Sequence, residues 1–147
     1  MSDSTAKWAG PLPQPDDDLV AAFWEHCARE ELRFQRCGDC GTWRHLPRLR
    51  CARCGSPEFT WQRSSGRGHV YSWTVTHQTP IPAFAERAPW AVLVVELEEG
   101  VRMVAGLVGA DPNVLRLDLP VEVVFERVSP EWALPQFRPA ESWGGER

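Results

Sequence analysis

The residues whose types and spacing point most directly to chemistry are four cysteines. Cys37 and Cys40 form one Cys-x-x-Cys turn, Cys51 and Cys54 form another, and ten residues lie between them. Each turn offers two thiolates, and two facing pairs complete the tetrahedral four-sulfur site that Zn²⁺ takes in structural positions. Gly41 and Gly55 directly follow the second cysteine of each pair. Glycine there tolerates positive φ and lets backbone N–H groups turn toward the sulfurs, spreading their charge. Disulfides would suit a secreted chain, but no apolar leader follows Met1, and a reducing cytosol keeps such thiols free. A redox Cys-x-x-Cys needs one pair beside a βαβ pattern, which is missing here. Iron takes the same four ligands in rubredoxin-type sites, but so short a spacing favours zinc. With four protein ligands the metal has no open position. Its expected role is structural.

The other reactive residues make a thinner case. Cys27 lies outside the metal pattern and reads as a small core residue. His45 is surplus to a four-thiolate site and is expected at the surface, with Trp43 covering the metal and Pro47 and Arg48 making an exposed turn. His77, at a strand end before a proline-rich loop, has the chemistry of a general base but no partner in sequence to tune it. No Gly-x-Ser-x-Gly elbow, P-loop or Gly-x-Gly-x-x-Gly fingerprint occurs. No self-contained active site is visible.

The 147 residues suffice for one medium domain, or for a metal-held module joined to a compact core. No run of eighteen apolar residues occurs, so no membrane span is expected and the chain reads as cytoplasmic. The net charge of −4 is unevenly spread. Arg29 to Arg67 holds nine arginines against four acids, whereas the first 28 residues carry −4 and the remainder −5. A basic middle in an acidic chain suggests a local anion site; arginine as the default cation beside a single lysine explains it equally well.

The elements that must position these residues follow in order. Residues 1–15 read as a flexible lead-in, and 16–58 as a helix joined to the metal ribbon. Asp16 to Asp18 supply an N-cap, and Leu19, Phe23 and Cys27 recur every four residues, predicting an amphipathic helix over 17–30. Its apolar stripe needs a surface, on this chain or on another. Leu32–Gln35 reads as a ribbon strand feeding Cys37. From Phe59 the period is two, and 59–139 is expected to be a small β-barrel with a docking tail. Phe59 and Trp61 open a strand interrupted at 64–68, where the glycines suggest a bulge. His69, Tyr71, Trp73 and Val75 should then share one strand face. A loop from His77 to Pro89 follows, then a strand from Trp90, a turn at Glu98–Gly100, a return strand, and a last strand over Val121–Glu126. The segment Leu134–Pro139 is extended and apolar, and 140–147 is expected to be disordered.

The order helix, paired Cys-x-x-Cys-Gly, Ser65-Gly66-Arg67-Gly68-x-Val-Tyr-Ser-Trp-Thr-Val, Val94-Val95-Glu96-Leu97-x-Glu-Gly and Leu134-Pro-x-Phe-Arg-Pro139 resembles the zinc-ribbon/OB-fold family known as domain of unknown function 35. The likeness covers Leu19 to Pro139. It implies a mostly β protein: an N-terminal helix, a rubredoxin-like zinc ribbon at Cys37, Cys40, Cys51 and Cys54, and an OB-fold barrel. It also implies an accessory role in acyl-CoA metabolism beside a thiolase-like partner that carries the catalysis, in acyl transfer or in the retro-aldol cleavage of steroid side chains. Such partners are usually dimers, so two copies of each chain are expected. Leu46-Pro47-Arg48 departs from a frequent Pro-Pro-Arg turn, and Leu117–Pro120 lacks the glycine that commonly precedes the last strand.

On that reading Arg44, Arg48 and Arg50 suit the phosphates of coenzyme A, and Phe84 and Trp90 its acyl or pantetheine part. Phe23, Trp24 and Phe137 are the candidate partner interface. The rival from another class is a single-strand nucleic-acid binder with Tyr71 and Trp73 as its stacking platform. An excess of −5 over the barrel half speaks against it.

Overall fold

The computed structural model describes Trp8 and residues 10–141. The expectations for residues 1–7 and 9 of the lead-in and for 142–147 of the tail therefore lie outside the described residues.

Helix α1 spans Asp18–Ala28, and Asp17 caps it by accepting the Val20 N–H at 2.8 Å. Phe23 and Cys27, one turn apart, are its buried residues, so the apolar stripe packs on this chain's own core. The ribbon is a three-stranded antiparallel sheet of β1 (Arg33–Cys37), β2 (Trp43–Arg44) and β3 (Phe59–Arg63), in the order β2-β1-β3. β3 pairs with β1 from Cys37–Phe59 to Arg33–Arg63. The strand opening at Phe59 thus completes the ribbon and is no part of the barrel sheet. Period-two alternation shows that a strand exists but not which strand it joins.

Five strands build the second sheet: β4 (Arg67–Thr76), β5 (Trp90–Leu97), β6 (Arg102–Gly106), β7 (Pro120–Arg127) and β8 (Ala133–Pro139), in the order β6-β5-β4-β7-β8. A parallel bridge between Leu107 and Phe137, with the Val108 N–H donating to Phe137 O at 2.8 Å, joins the two ends into a nearly closed barrel. The extended tail is therefore β8, hydrogen-bonded to β7 over seven register pairs. A one-turn helix, α2 (Pro82–Ala85), sits in the loop expected to be irregular.

The bulge in β4 falls at Tyr71, where the register with β5 steps from Val70–Val95 to Ser72–Val94. One inserted residue reverses the facing of everything after it. Val70 is wholly buried, Tyr71 is exposed, and Trp73 and Val75 pack on the core. Tyr71 and Trp73 therefore do not form one platform, and the nucleic-acid reading loses its surface. Gly68 serves a different end: a Cβ there would lie 2.4 Å from the Glu96 carbonyl oxygen, so only glycine lets β4 approach β5 this closely.

The core is continuous. Phe23 and Cys27 from α1, Phe34 from the ribbon, and Val70, Leu93, Val121 and Phe137 from the barrel belong to one cluster.

Candidate metal centre and ligand surfaces

The two knuckles have the same backbone. Gly41 and Gly55 both adopt φ +78. Gly41 N–H donates to Cys37 O at 3.1 Å and Gly55 N–H to Cys51 O at 2.9 Å. The N–H groups of Cys37 and Cys51 reach Thr42 O and Ser56 O, at 2.8 and 2.9 Å. This doubled turn aims four sulfurs at one point. Cys37 Sγ lies 3.6 Å from Cys54 Sγ and Cys40 Sγ lies 3.6 Å from Cys51 Sγ, and all four fall within 4.8 Å of one another. A tetrahedron with Zn–S bonds of about 2.3 Å has edges of roughly 3.8 Å, so the donor set fits zinc with little adjustment.

Amides turn toward the sulfurs as expected. Asp39 and Cys40 N–H point at Cys37 Sγ at 3.4 and 3.5 Å, and Arg53 N–H at Cys51 Sγ at 3.4 Å. The Cys40 amide foremost, with the Asp39 amide and Arg44 adding to it against desolvation, draws the Cys37 thiol down to about 6. Cys51 is lowered too, chiefly by the Cys54 amide. Thiolates stabilised in this way are the form that binds metal. Cys27, by contrast, is pushed up to about 12 by burial and is an inert core residue, as expected.

Three residues missed in the sequence hold the ribbon together, and one candidate ligand residue joins them. Arg44 is 3 % exposed. Its Nη2 donates to Ser56 O and Glu58 O at 3.1 and 3.0 Å, its Nη1 to Arg48 O at 3.3 Å, and its guanidinium lies over Phe59. That group is spent inside the fold and is not offered to a CoA phosphate. Gln35, also wholly buried, clamps the loop between the knuckles by accepting from Arg48 N–H at 2.8 Å and donating to Arg48 O at 2.9 Å. The Ser56 hydroxyl bonds Asp39 and tethers one knuckle to the other. None of these three stands out in the sequence, where Gln35 lies between Phe34 and Arg36.

His45 is half-buried rather than exposed at the surface. Its ring packs 5.3 Å from Phe23 and 4.9 Å from Phe34, with Nδ1 buried and unpartnered. Burial, with Arg48 second, lowers it to about 4, so it sits neutral at the joint of helix and ribbon. Trp43 takes Arg36 over its ring at 5.0 Å.

The structure separates the remaining ligand candidates. Phe84 and Trp90 meet at 5.7 Å in the wall of a cavity of about 520 Å³ between the α2 loop and the start of β5. Trp8 folds in from the lead-in, 6.3 Å from Phe84, and Arg87 lies over its ring at 4.8 Å. Arg48 lines a different crevice, at the far end of the β5–β6 hairpin, and Arg50 is tied to Gly55 O at 3.0 Å. The ribbon arginines and the aromatic pair thus do not share one cavity. His77 is exposed at the end of β4, beside a third cavity lined by Asp111 and Asn113.

Of the interface candidates, Phe137 is 0 % and Phe23 5 % exposed, both in this chain's core. Neither has surface left for a partner. Trp24 is half-buried and meets Trp132 edge-to-face at 6.2 Å, which seats α1 on the barrel together with the Arg127–Ala28 O bond at 2.6 Å. An amphipathic helix and an apolar tail are signals for burial, and in this chain each buries the other.

A four-cysteine ribbon fused through a shared core to a five-stranded barrel defines a zinc-ribbon/OB-fold protein. A family model described as the rubredoxin-like zinc ribbon domain of ChsH2 matches residues 24–60, and one described as the C-terminal OB-fold domain of ChsH2 matches 61–126. A DUF35 domain-containing scaffold protein of Methanocaldococcus jannaschii is 35% identical, over 76% of this chain and 80% of its own. The chain belongs to this DUF35 family.

A probable enoyl-CoA hydratase alpha subunit of Thermomonospora curvata is 41% identical over 87% of this chain, yet only 40% of that protein is covered. The chain thus spans about two fifths of the hydratase subunits it matches. Among solved structures, the Ltp2-ChsH2(DUF35) aldolase superposes with a TM-score of 0.76 at 40% identity, over 87% of this chain and 100% of that one. No helix among the described residues is long and apolar enough to cross a membrane.

Proposed function

We propose that this chain is a non-catalytic accessory subunit that binds acyl-CoA and assembles with a thiolase-like enzyme in the cytoplasm, as two copies of each. The chemistry served is acyl transfer or retro-aldol cleavage of a CoA thioester, with the steroid side chain as one substrate class. The observation that carries this reading is the match to the DUF35 chain of an aldolase complex, over the whole of that chain. The side chains support it as well. Four cysteines converge on a closed metal centre, Cys27 is held as a buried thiol, and His45 is packed between phenylalanines. The groups left to this chain bind and position. They do not turn over a substrate.

The ligand reading now rests on the aromatic cavity. Phe84 and Trp90 suit an acyl or pantetheine chain, and Arg87 is a cation in the same wall. The four cysteines would hold Zn²⁺, which supplies a cross-link that fixes the ribbon. Mixed with a thiolase-like enzyme from the same genome, the chain should co-elute as one complex, with a mass by light scattering that fits two copies of each. Separate elution of the two proteins would reject the reading. Titration with an acyl-CoA should show binding that weakens in Trp90→Ala, and equal binding by that variant would remove the cavity from it.

A further inference from the structure

β6 is an edge strand with an open side. Leu97 N–H donates to Val101 O at 2.9 Å and Leu107 N–H to Ala91 O at 3.2 Å. Between these two pairs the antiparallel register makes Val95–Met103 and Leu93–Ala105 the hydrogen-bonded partners. The alternate residues Arg102, Val104 and Gly106 therefore turn their N–H and C=O groups away from β5. Gln136 takes the Gly106 N–H at 2.8 Å, and those of Arg102 and Val104 meet no partner among the described residues. β8 reaches across only at the Leu107–Phe137 bridge, so the barrel is closed at one end of β6 and open at the other.

The side chains around the open end are charged and apolar in a definite arrangement. Arg102 and Arg48 line one crevice of about 330 Å³ between the β5–β6 hairpin and the loop joining the knuckles. Neither forms an ion pair among the described residues, although Glu96 lines the same crevice; Arg102 stacks on Tyr71 at 3.8 Å. Val104 is 64 % exposed, and Leu46 and Leu49, on either side of Arg48, are 68 % and 75 % exposed. Natural edges are blunted by charge, proline or cover, and this one presents an outward valine between unsatisfied backbone groups.

We propose that the open edge of β6, with the guanidinium groups of Arg48 and Arg102, docks an extended acidic segment of the partner protein, which adds to the barrel as a sixth strand. The backbone edge calls for a peptide, because a nucleic acid or a CoA brings anions but no amide ladder. Two guanidinium groups without counter-ions call for carboxylates on it. Val104, exposed on the edge strand itself, covers an apolar residue between them. The assignment rests on the reading that this chain serves a protein partner, and the test separates the two.

An acetylated Glu-Val-Glu-Val-Glu peptide titrated into the full chain should shift the amide resonances of Arg102 and Val104 and slow their hydrogen exchange. The lysine-for-glutamate peptide should not, and a short oligothymidylate should leave Val104 unmoved. Arg48→Glu with Arg102→Glu should weaken peptide binding at least tenfold, with metal content and melting unchanged as the check on folding. No shift at Arg102 and Val104, an equal response to the lysine peptide, or shifts at Val104 from the oligonucleotide would overturn the site. In the complex with the thiolase-like enzyme the same double variant should lose at least tenfold in affinity, whereas Leu117→Ser, outside the crevice, should not. An unaffected complex overturns the docking site and leaves the accessory reading standing. A wild-type chain that forms no complex rejects that reading, and the peptide then decides the site alone.

Discussion

Two single residues carry costs that the fold absorbs, and each can be measured. Asp118 adopts φ +64 in the turn before β7, and its N–H donates to Val70 O at 2.9 Å. An L side chain in that conformation costs roughly 1–2 kcal/mol, which glycine avoids. Asp118→Gly keeps the backbone bond. After the larger entropy of an unfolded glycine is deducted, it should stabilise by about 0.5 kcal/mol in urea denaturation; a loss of stability would mean that the carboxylate has a partner of its own. His45 costs stability in acid. Burial holds it at about 4 against an ordinary 6.5, so below pH 6.5 the unfolded chain takes a proton that the folded chain refuses. The stability is fully present above pH 6.5 and falls as the pH drops toward 4. Between pH 6.5 and 5 this amounts to about 2 kcal/mol. His45→Phe, which keeps a ring between Phe23 and Phe34, should flatten that part of the pH profile by the same amount. An unchanged slope would place the acid sensitivity elsewhere.

At the scale of elements, local chemistry was readable and pairing was not. The duplicated Cys-x-x-Cys-Gly specified both knuckle turns down to their positive φ, because the metal and the glycine act within five residues. The Asp cap, the four-residue apolar repeat and the Glu98–Gly100 turn specified α1 and the β5–β6 hairpin for the same reason. Four features were decided at a distance. β3 joins β1 across the 21 residues from 38 to 58, the Tyr71 bulge follows from matching β4 to β5, His45 packs against α1, and the tail becomes β8 because β7 offers it an edge. Pro135 and Pro139 obscured that last strand, since proline suits only a strand whose N–H positions need no partner. What β8 contributes is a buried ring. Phe137→Ala should cost about 3–5 kcal/mol, as large-to-small changes in a packed core do. A Phe137 at a partner interface would instead leave the melting of the free chain unchanged and weaken the complex.

For the whole molecule the question is whether the ribbon and the barrel are two units or one. The metal centre lies in the ribbon, yet the packing does not stop at its border. His45 of the ribbon touches Phe23 and Phe34, Phe23 and Cys27 of α1 enter the same cluster as Leu93 and Phe137, and Arg127 of β7 bonds Ala28 O at the end of α1. The helix is the wedge that makes the two cores continuous. Metal binding is folding free energy for a four-thiolate ribbon, on the order of 10 kcal/mol. If the cores are coupled, that energy supports the barrel as well. The native protein should therefore hold one zinc per chain and melt in a single calorimetric transition whose van't Hoff and calorimetric enthalpies agree. Stripping the metal with a chelator, or Cys51→Ser, should lower the melting of the barrel strands themselves, read from the β-sheet signal or from amide exchange at Leu93 and Val121. Two separate transitions, or barrel amides that stay protected after the metal is removed, would show that the ribbon hangs on the barrel as an independent module and that α1 couples nothing.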